Sequence, residues 1–281
     1  MKVFIVLFCL AAFPAALFSQ SSGDVSGGQG RLLFPPLIAH HVEPRVGMSR
    51  LVEEERLRLD IGNSIDLLHF EGVREGDRGA VGADFFTWTS LRQEAAFHFP
   101  VDAVDYLFGV NASYRHDLDE TSSVSARLRL SHISAHLVDG SYDKTTAAWR
   151  DADPPQVYSR EFVDLVLAYD YSGMLRVYAG AQYIYHIDPA ELGKYAMQAG
   201  VEAVWRDAPF DGVHLYCAYD LRILDNGAMR SAHGLQIGAK IGTWRGSGVN
   251  LFLAYYHGPS QHGEFYDRMW SYWGPGLNFD F

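Results

Sequence analysis

The 281-residue chain has two cysteines, Cys9 and Cys217, and Cys9 lies inside an N-terminal apolar run. If that run is cleaved on export, Cys217 stands alone and no intramolecular disulfide can form, even in an oxidising space. Basic residues are scarce: 23 Lys and Arg stand against 34 Asp and Glu, a formal net charge of −11. So acidic a balance argues against nucleic acid as a partner and against a polybasic membrane anchor. Beyond the N-terminal run, no apolar stretch reaches the roughly 18 residues that a membrane-crossing helix needs.

What is present begins at Lys2. A positive charge, an apolar run from Val3 to Leu17 and small residues at Ser19, Ser21 and Ser22 follow the order of a secretory signal peptide. Cleavage is expected near Ser19, giving a signal over 1–19. Residues 20–44, Gly/Ser-rich and then Phe34-Pro35-Pro36, read as an irregular periplasmic arm. Residues 45–281 read as one further unit.

That unit alternates. In 56–67, Leu57, Leu59, Ile61, Ile65 and Leu67 oppose Arg56, Arg58, Asp60 and Asp66. In 104–115, Val104, Tyr106, Phe108 and Val110 oppose Asp105, Asn111 and Arg115. In 175–186, Leu175, Val177, Tyr183 and Tyr185 oppose Arg176, Gln182 and His186; in 213–223, Val213, Leu215, Tyr219 and Ile223 oppose His214, Asp220 and Arg222. A soluble β-sandwich also alternates, but its strands average about five or six residues. These run to about ten, the length of a tilted strand crossing a bilayer. Their polar face is rich in charge and glycine, as a barrel lumen is. Aromatics gather at strand ends (Trp205, Trp244, Tyr183, Tyr185 and Trp273), where interfacial girdles belong. The fold class expected is an all-β, antiparallel transmembrane β-barrel of about twelve strands.

The expected strands are 45–52, 56–69, 82–93, 103–116, 122–137, 158–171, 175–186, 195–206, 213–224, 231–243, 249–258 and 271–281. Bacterial barrels keep both termini in the periplasm, so the last strand descends. The short connections 117–121, 172–174, 207–212 and 244–248 then become periplasmic turns. The longer ones at 138–157, 187–194 and 259–270 become extracellular loops. The final Gly276-Leu277-Asn278-Phe279-Asp280-Phe281 resembles the C-terminal strand signal that outer-membrane barrels present to their assembly machinery, with Gly274 at a position normally polar. The location implied is the bacterial outer membrane, and the partners implied are its lipids and that machinery.

Arg127, Arg129, Arg160, Asp164, Asp170, Arg176, Glu202, Asp220, Arg222 and Lys240 then point into the lumen. With both signs mixed, they fill a narrow barrel as a paired network or line a conducting pore.

The strands at 122–137 and 158–171 carry chemistry outward. Val124, Ala126, Leu128 and Leu130 continue on the same face as His132, Ser134 and His136. Val163, Leu165 and Leu167 extend backward on theirs to Glu161 and Ser159. If Leu130 lies opposite Val163, His132 faces Glu161 and Ser134 faces Ser159, all at the outer edge of the bilayer. The set offers a nucleophile, a base and an orienting acid, the logic of serine hydrolysis. His132 and Ser134 would sit with Cβ atoms roughly 7 Å apart, while His132 and His136, roughly 13 Å apart, are too distant to share a metal ion. The bland alternative is His and Ser tolerated at a barrel rim, or a ligand-binding surface.

The His132-x-Ser134 spacing resembles outer-membrane phospholipase A and lipid A 3-O-deacylase, which carry such a dyad outside the barrel with a third polar residue on the next strand. The resemblance is confined to this motif, and the third residue here lies farther along the chain, across the 138–157 loop. It implies an acyl-ester hydrolase of phospholipid or lipid A, with His132 as base, Ser134 as nucleophile, Glu161 as orienting acid, and Ser159 and His136 beside the substrate; it leaves open a need for calcium. A broader likeness spans most of the chain after residue 19: Ser131-His132-Ile133-Ser134-Ala135-His136-Leu137-Val138-Asp139, then Tyr158-Ser159-Arg160-Glu161, with Leu33-Phe34-Pro35-Pro36-Leu37-Ile38-Ala39 and Glu43-Pro44-Arg45 earlier. This is similar to a bacterial barrel family known only as a domain of unknown function, from which Ala135 and Val138 depart. The competing expectation is a non-catalytic structural barrel or a narrow solute channel.

Overall fold

A computed structural model describes residues 32–72, 74–94, 98–137, 139–150 and 156–281. The expected signal peptide, 1–19, and residues 20–31 of the expected arm lie outside them.

The alternating segments form strands that close into a barrel, where a period of two turns one face of each strand to the lumen and the other outward. In chain order they are β1 (Val46–Leu51), β2 (Arg56–Glu71), β3 (Asp77–Arg92), β4 (Val101–Asp117) and β5 (Ser122–Leu137). A small hairpin, β6 (Tyr142–Asp143) and β7 (Ala148–Trp149), follows. Then come β8 (Ser159–Tyr171), β9 (Leu175–Asp188), β10 (Tyr195–Trp205), β11 (Val213–Asp225), β12 (Met229–Gly242), β13 (Gly248–Pro259) and β14 (Met269–Asp280). All except the hairpin join one closed barrel of twelve strands, each antiparallel to its neighbours, with β1 between β14 and β2. Eleven of the twelve match the expected bounds within two residues; β3 starts earlier, at Asp77.

Side chains divide as a membrane barrel requires. Ile61, Phe85, Phe108, Leu128, Leu167 and Leu253 are exposed on the outside, while Arg127, Arg129, Asp164, Arg176, Asp220 and Arg222 are buried inside. A soluble protein has the opposite arrangement. Short turns close the end where Asp280 lies. One of them, Tyr171 to Met174, has Ser172 and Gly173 both at left-handed φ (54° and 60°), the type I′ geometry that suits the twist of a two-strand hairpin. The other end carries the β6–β7 hairpin and the segment 260–268.

Among the described residues, an arm enters the barrel from one end and a loop from the other. Residues 32–45 join no strand and lie inside the barrel. Glu43 accepts hydrogen bonds from Arg127 at 2.9 and 2.5 Å and pairs with Arg129. The Phe34 ring lies between the guanidinium groups of Arg127 and Arg176, 4.8 and 4.4 Å from its centroid. Gly234 admits the arm, because a Cβ there would come within 2.5 Å of the Ala39 carbonyl oxygen. From the loop end, 260–268 turns inward: Asp105 accepts from the Gly263 amide at 2.8 Å and lies 2.6 Å from His262 Nδ1, and Trp88 Nε1 donates to the Gln261 carbonyl. The paired network expected of the lumen is present, and it is completed by residues of an arm and a loop.

Two expectations are corrected. Trp244 is no part of an outer girdle; its ring packs inside the turn end against His214 and Tyr216. His186 does not face the lumen. The register between β8 and β9 shifts so that Glu161 pairs with His186 and Phe162 with Ile184. Tyr185 is the extra residue of this β-bulge, and alternation fails across it.

Candidate active site

The register between β5 and β8 sets Leu130 opposite Val163, His132 opposite Glu161 and Ser134 opposite Ser159. Alternation along β5 buries Ser131, Ile133 and Ala135 and turns His132, Ser134 and His136 outward. These three lie beyond Leu128 and Leu130 on the same face, toward the end that carries the β6–β7 hairpin. On the other side, β4 pairs Phe108 with His132 and Tyr106 with Ser134.

His132 Nδ1 is 2.7 Å from Glu161 Oε1. If Nδ1 carries the proton and donates it to the carboxylate, Nε2 is left with its lone pair outward. That is the tautomer a general base needs. The second carboxylate oxygen, Oε2, is engaged by His186 Nδ1. Glu161 is therefore held from both sides, by β5 and by β9, and its rotamer is fixed by two imidazoles. His186 was missed because the alternation of 175–186 assigns it to the lumen; only the bulge at Tyr185 brings it outside.

Ser134 Oγ is hydrogen-bonded to His136 Nε2 at 3.1 Å, and not to His132. Neighbouring same-face positions on a strand are roughly 7 Å apart, so an imidazole on either side can reach the hydroxyl and the serine rotamer selects between them. The His136 ring packs edge-on against Tyr106, with centroids 5.4 Å apart. Of the expected trio, His132 and Glu161 meet directly and Ser134 stands beside them on the same face, paired with His136. Ser159 lies opposite Ser134 in register. Among the described residues no group of three or more His, Cys, Asp or Glu side chains is arranged to hold a metal ion.

This architecture recurs in solved structures. An outer membrane phospholipase A from Escherichia coli, solved as an active-site mutant, superposes with a TM-score of 0.56 at 12% identity, covering 89% of this chain and 93% of that one. The Salmonella typhi outer membrane phospholipase dimer with bound calcium gives a TM-score of 0.52 at 12% identity, covering 84% and 89%. At this identity the likeness concerns the fold: a twelve-stranded barrel similar to those of outer-membrane proteins. No curated protein sequence matches the chain. The segments Leu33–Ala39 and Glu43–Arg45 precede the span over which a family is recognised, whereas His132, Ser134, His136, Ser159 and Glu161 all lie within it. Matched over residues 99–281, the chain belongs to the family described as "Protein of unknown function (DUF1207)".

Proposed function

We propose that the protein is an acyl-ester hydrolase of the bacterial outer membrane, acting on phospholipid or lipid A of the outer leaflet. Ser134 is the nucleophile, His132 the general base and Glu161 the orienting acid; Ser159 and His136 flank the substrate. The observation that carries this reading is the His132–Glu161 hydrogen bond on the outward face, one same-face position from Ser134. The likeness of the fold to outer membrane phospholipase A supports it.

In the reaction, Ser134 rotates from His136 toward His132, and its Oγ attacks the ester carbonyl as His132 Nε2 takes the hydroxyl proton. The carbon–oxygen bond to the lipid alcohol breaks, and His132 returns the proton to the leaving oxygen. Water then adds to the acyl-enzyme, again giving a proton to His132, and fatty acid leaves as Ser134 is restored. Glu161 stabilises the imidazolium formed in each half.

The apolar outer surface supports insertion in a bilayer, and the short turns at the Asp280 end support an orientation with the β6–β7 hairpin facing outward from the cell. Phe279 and Phe281, both exposed, support the reading of β14 as the strand that the assembly machinery recognises.

The experiment is release of fatty acid by the purified barrel in phospholipid-containing micelles, beside Ser134→Ala. Each protein is assayed with added calcium and with chelator, because the Salmonella phospholipase was solved with calcium bound. A large fall in release is expected in the variant. Equal rates would remove Ser134 from the mechanism. No release from either protein would leave the non-catalytic barrel as the better account, and the filled interior favours a structural barrel over a solute channel.

A further inference from the structure

The order of side chains that carries the proposed site occurs a second time. On β5, reading toward the loop end, the outward face runs Leu128, Leu130, His132, Ser134. On β12, whose chain direction is opposite, the outward face read toward the same end runs Ile237, Leu235, His233, Ser231. A descending strand writes in sequence as Ser-x-His what an ascending strand writes as His-x-Ser. Read from the apolar belt to the rim, the two strands present the same order of side chains, although the serine meets His136 in the first and His233 in the second.

The second set is hydrogen-bonded throughout. His233 Nε2 lies 3.1 Å from Ser231 Oγ, and His233 Nδ1 lies 2.8 Å from the Tyr219 hydroxyl on β11. Ser231 is exposed and His233 half-buried, so both remain open to a substrate. The neighbouring strand adds His257, opposite His233 in register with ring centroids 6.3 Å apart, and below it Tyr255, its ring 4.8 Å from that of Trp273. Rings with one polar and one apolar edge suit the boundary between lipid headgroups and acyl chains. Around the closed sheet β12 stands five strand-to-strand steps from β5, nearly opposite in a ring of twelve. One lipid cannot bridge the two places.

We propose that Ser231, His233 and Tyr219 form a second, independent nucleophile site for lipid acyl esters on the far side of the barrel. The Tyr219 hydroxyl accepts from His233 Nδ1–H and thereby leaves Nε2 to accept the Ser231 proton. Ser231 Oγ attacks the acyl carbon, His233 takes its proton and passes it to the departing alcohol, and water releases the acid while restoring Ser231. Tyr219 is a positioning residue; being neutral, it stabilises the imidazolium less than Glu161 does, and this site turns over more slowly than the first.

The test uses a long-chain alkyl fluorophosphonate in phospholipid micelles, which forms a phosphorus–oxygen bond to an activated serine and expels fluoride. In the full-length Ser134→Ala protein, mass spectrometry is expected to find the adduct on Ser231. Adding His233→Asn is expected to slow labelling by about 100-fold or more, the usual scale of a lost general base. Tyr219→Phe should lower the maximal labelling rate and leave the half-saturating probe concentration unchanged, a split that a loss of packing would not produce. The shift in gel mobility between unheated and heated samples verifies that each variant is folded. Adduct on Ser134 of the parent with none on Ser231 of the Ser134→Ala protein overturns this site and spares the first. Adduct on Ser231 alone does the reverse, adduct unaffected by His233→Asn overturns the role of His233, and adduct on neither overturns both sites.

Discussion

At the scale of single residues, Glu161 is the hinge of the proposed chemistry, because its two oxygens each meet an imidazole. Glu161→Gln keeps one acceptor but loses the charge that stabilises imidazolium, whereas Glu161→Ala loses both. The fatty-acid assay should rank them parent, Gln, Ala, with His132→Asn lower still by about 10²–10⁴-fold from the parent. His186→Ala frees one side of Glu161 and should lower kcat; His186→Asn, which can still donate to the carboxylate, should recover most of it. A kcat unchanged in His186→Ala would mean that His132 alone holds the carboxylate. Inside the barrel, His262→Ala removes one of two hydrogen-bond partners of a buried carboxylate, Asp105, whose side chain is 1% exposed, and leaves the Gly263 amide as the other. Losing one hydrogen bond to such a buried group costs about 1–3 kcal/mol, to be read from the shift of the urea midpoint.

At the scale of elements, the strands were legible and their contents were not. Long alternating runs announce themselves, since each side chain points outward or to the lumen by parity, and the pairing of Leu130 with Val163 follows from matching the two apolar faces. Parity fails where the chain departs from it. The bulge at Tyr185 hid His186, the turn at Trp244 folded an expected girdle residue inward, and the reversed direction of β12 disguised Ser231 and His233. The arm has no period at all; Glu43 is one carboxylate among 34 acidic residues until the barrel closes around it. Its seat is pH-dependent. Burial alone would raise the Glu43 carboxyl, but the charges and hydrogen bonds of Arg127 and Arg129 outweigh that and hold it down at about 2, against an ordinary value of 4.5. A depressed folded value means that the stabilisation is complete above the ordinary range and is lost as the pH falls from about 4.5 through about 2. At neutral pH the arm is therefore seated, and trypsin should cut after Arg45 slowly. Glu43→Gln should speed that cleavage, and an unchanged rate would show that Phe34 and the backbone contacts suffice to hold the arm.

At the scale of the whole molecule, the barrel has a filled interior and a chemically differentiated outside. The parent protein in planar bilayers is expected to give no current steps. The double variant Glu43→Gln with Phe34→Ala, which removes both the ionic and the ring anchor of the arm, should give steps if the arm is what blocks conduction. Silence in that variant would assign the block to the 260–268 loop, held by Asp105 and Trp88. Either result separates the lumen from the proposed chemistry, because the serine sites face outward and should release fatty acid equally in blocked and conducting forms.

The arm has one further property. Leu32 and Val46 both border the cavity of about 530 Å³ at the turn end, while His41 and Val42 between them reach the space beneath Gln261 near the other. The chain thus goes in and comes out by the same door, as a finger does in a glove. A thread that passed through would have to be released by breaking the ring or by pulling a free end through its length. A finger has no such entanglement with what surrounds it, so tension applied at residue 32 draws it out while all twelve strands stay joined. Force spectroscopy on a barrel tethered near Leu32 should show that withdrawal as a first, separate, reversible event, before any strand unzips.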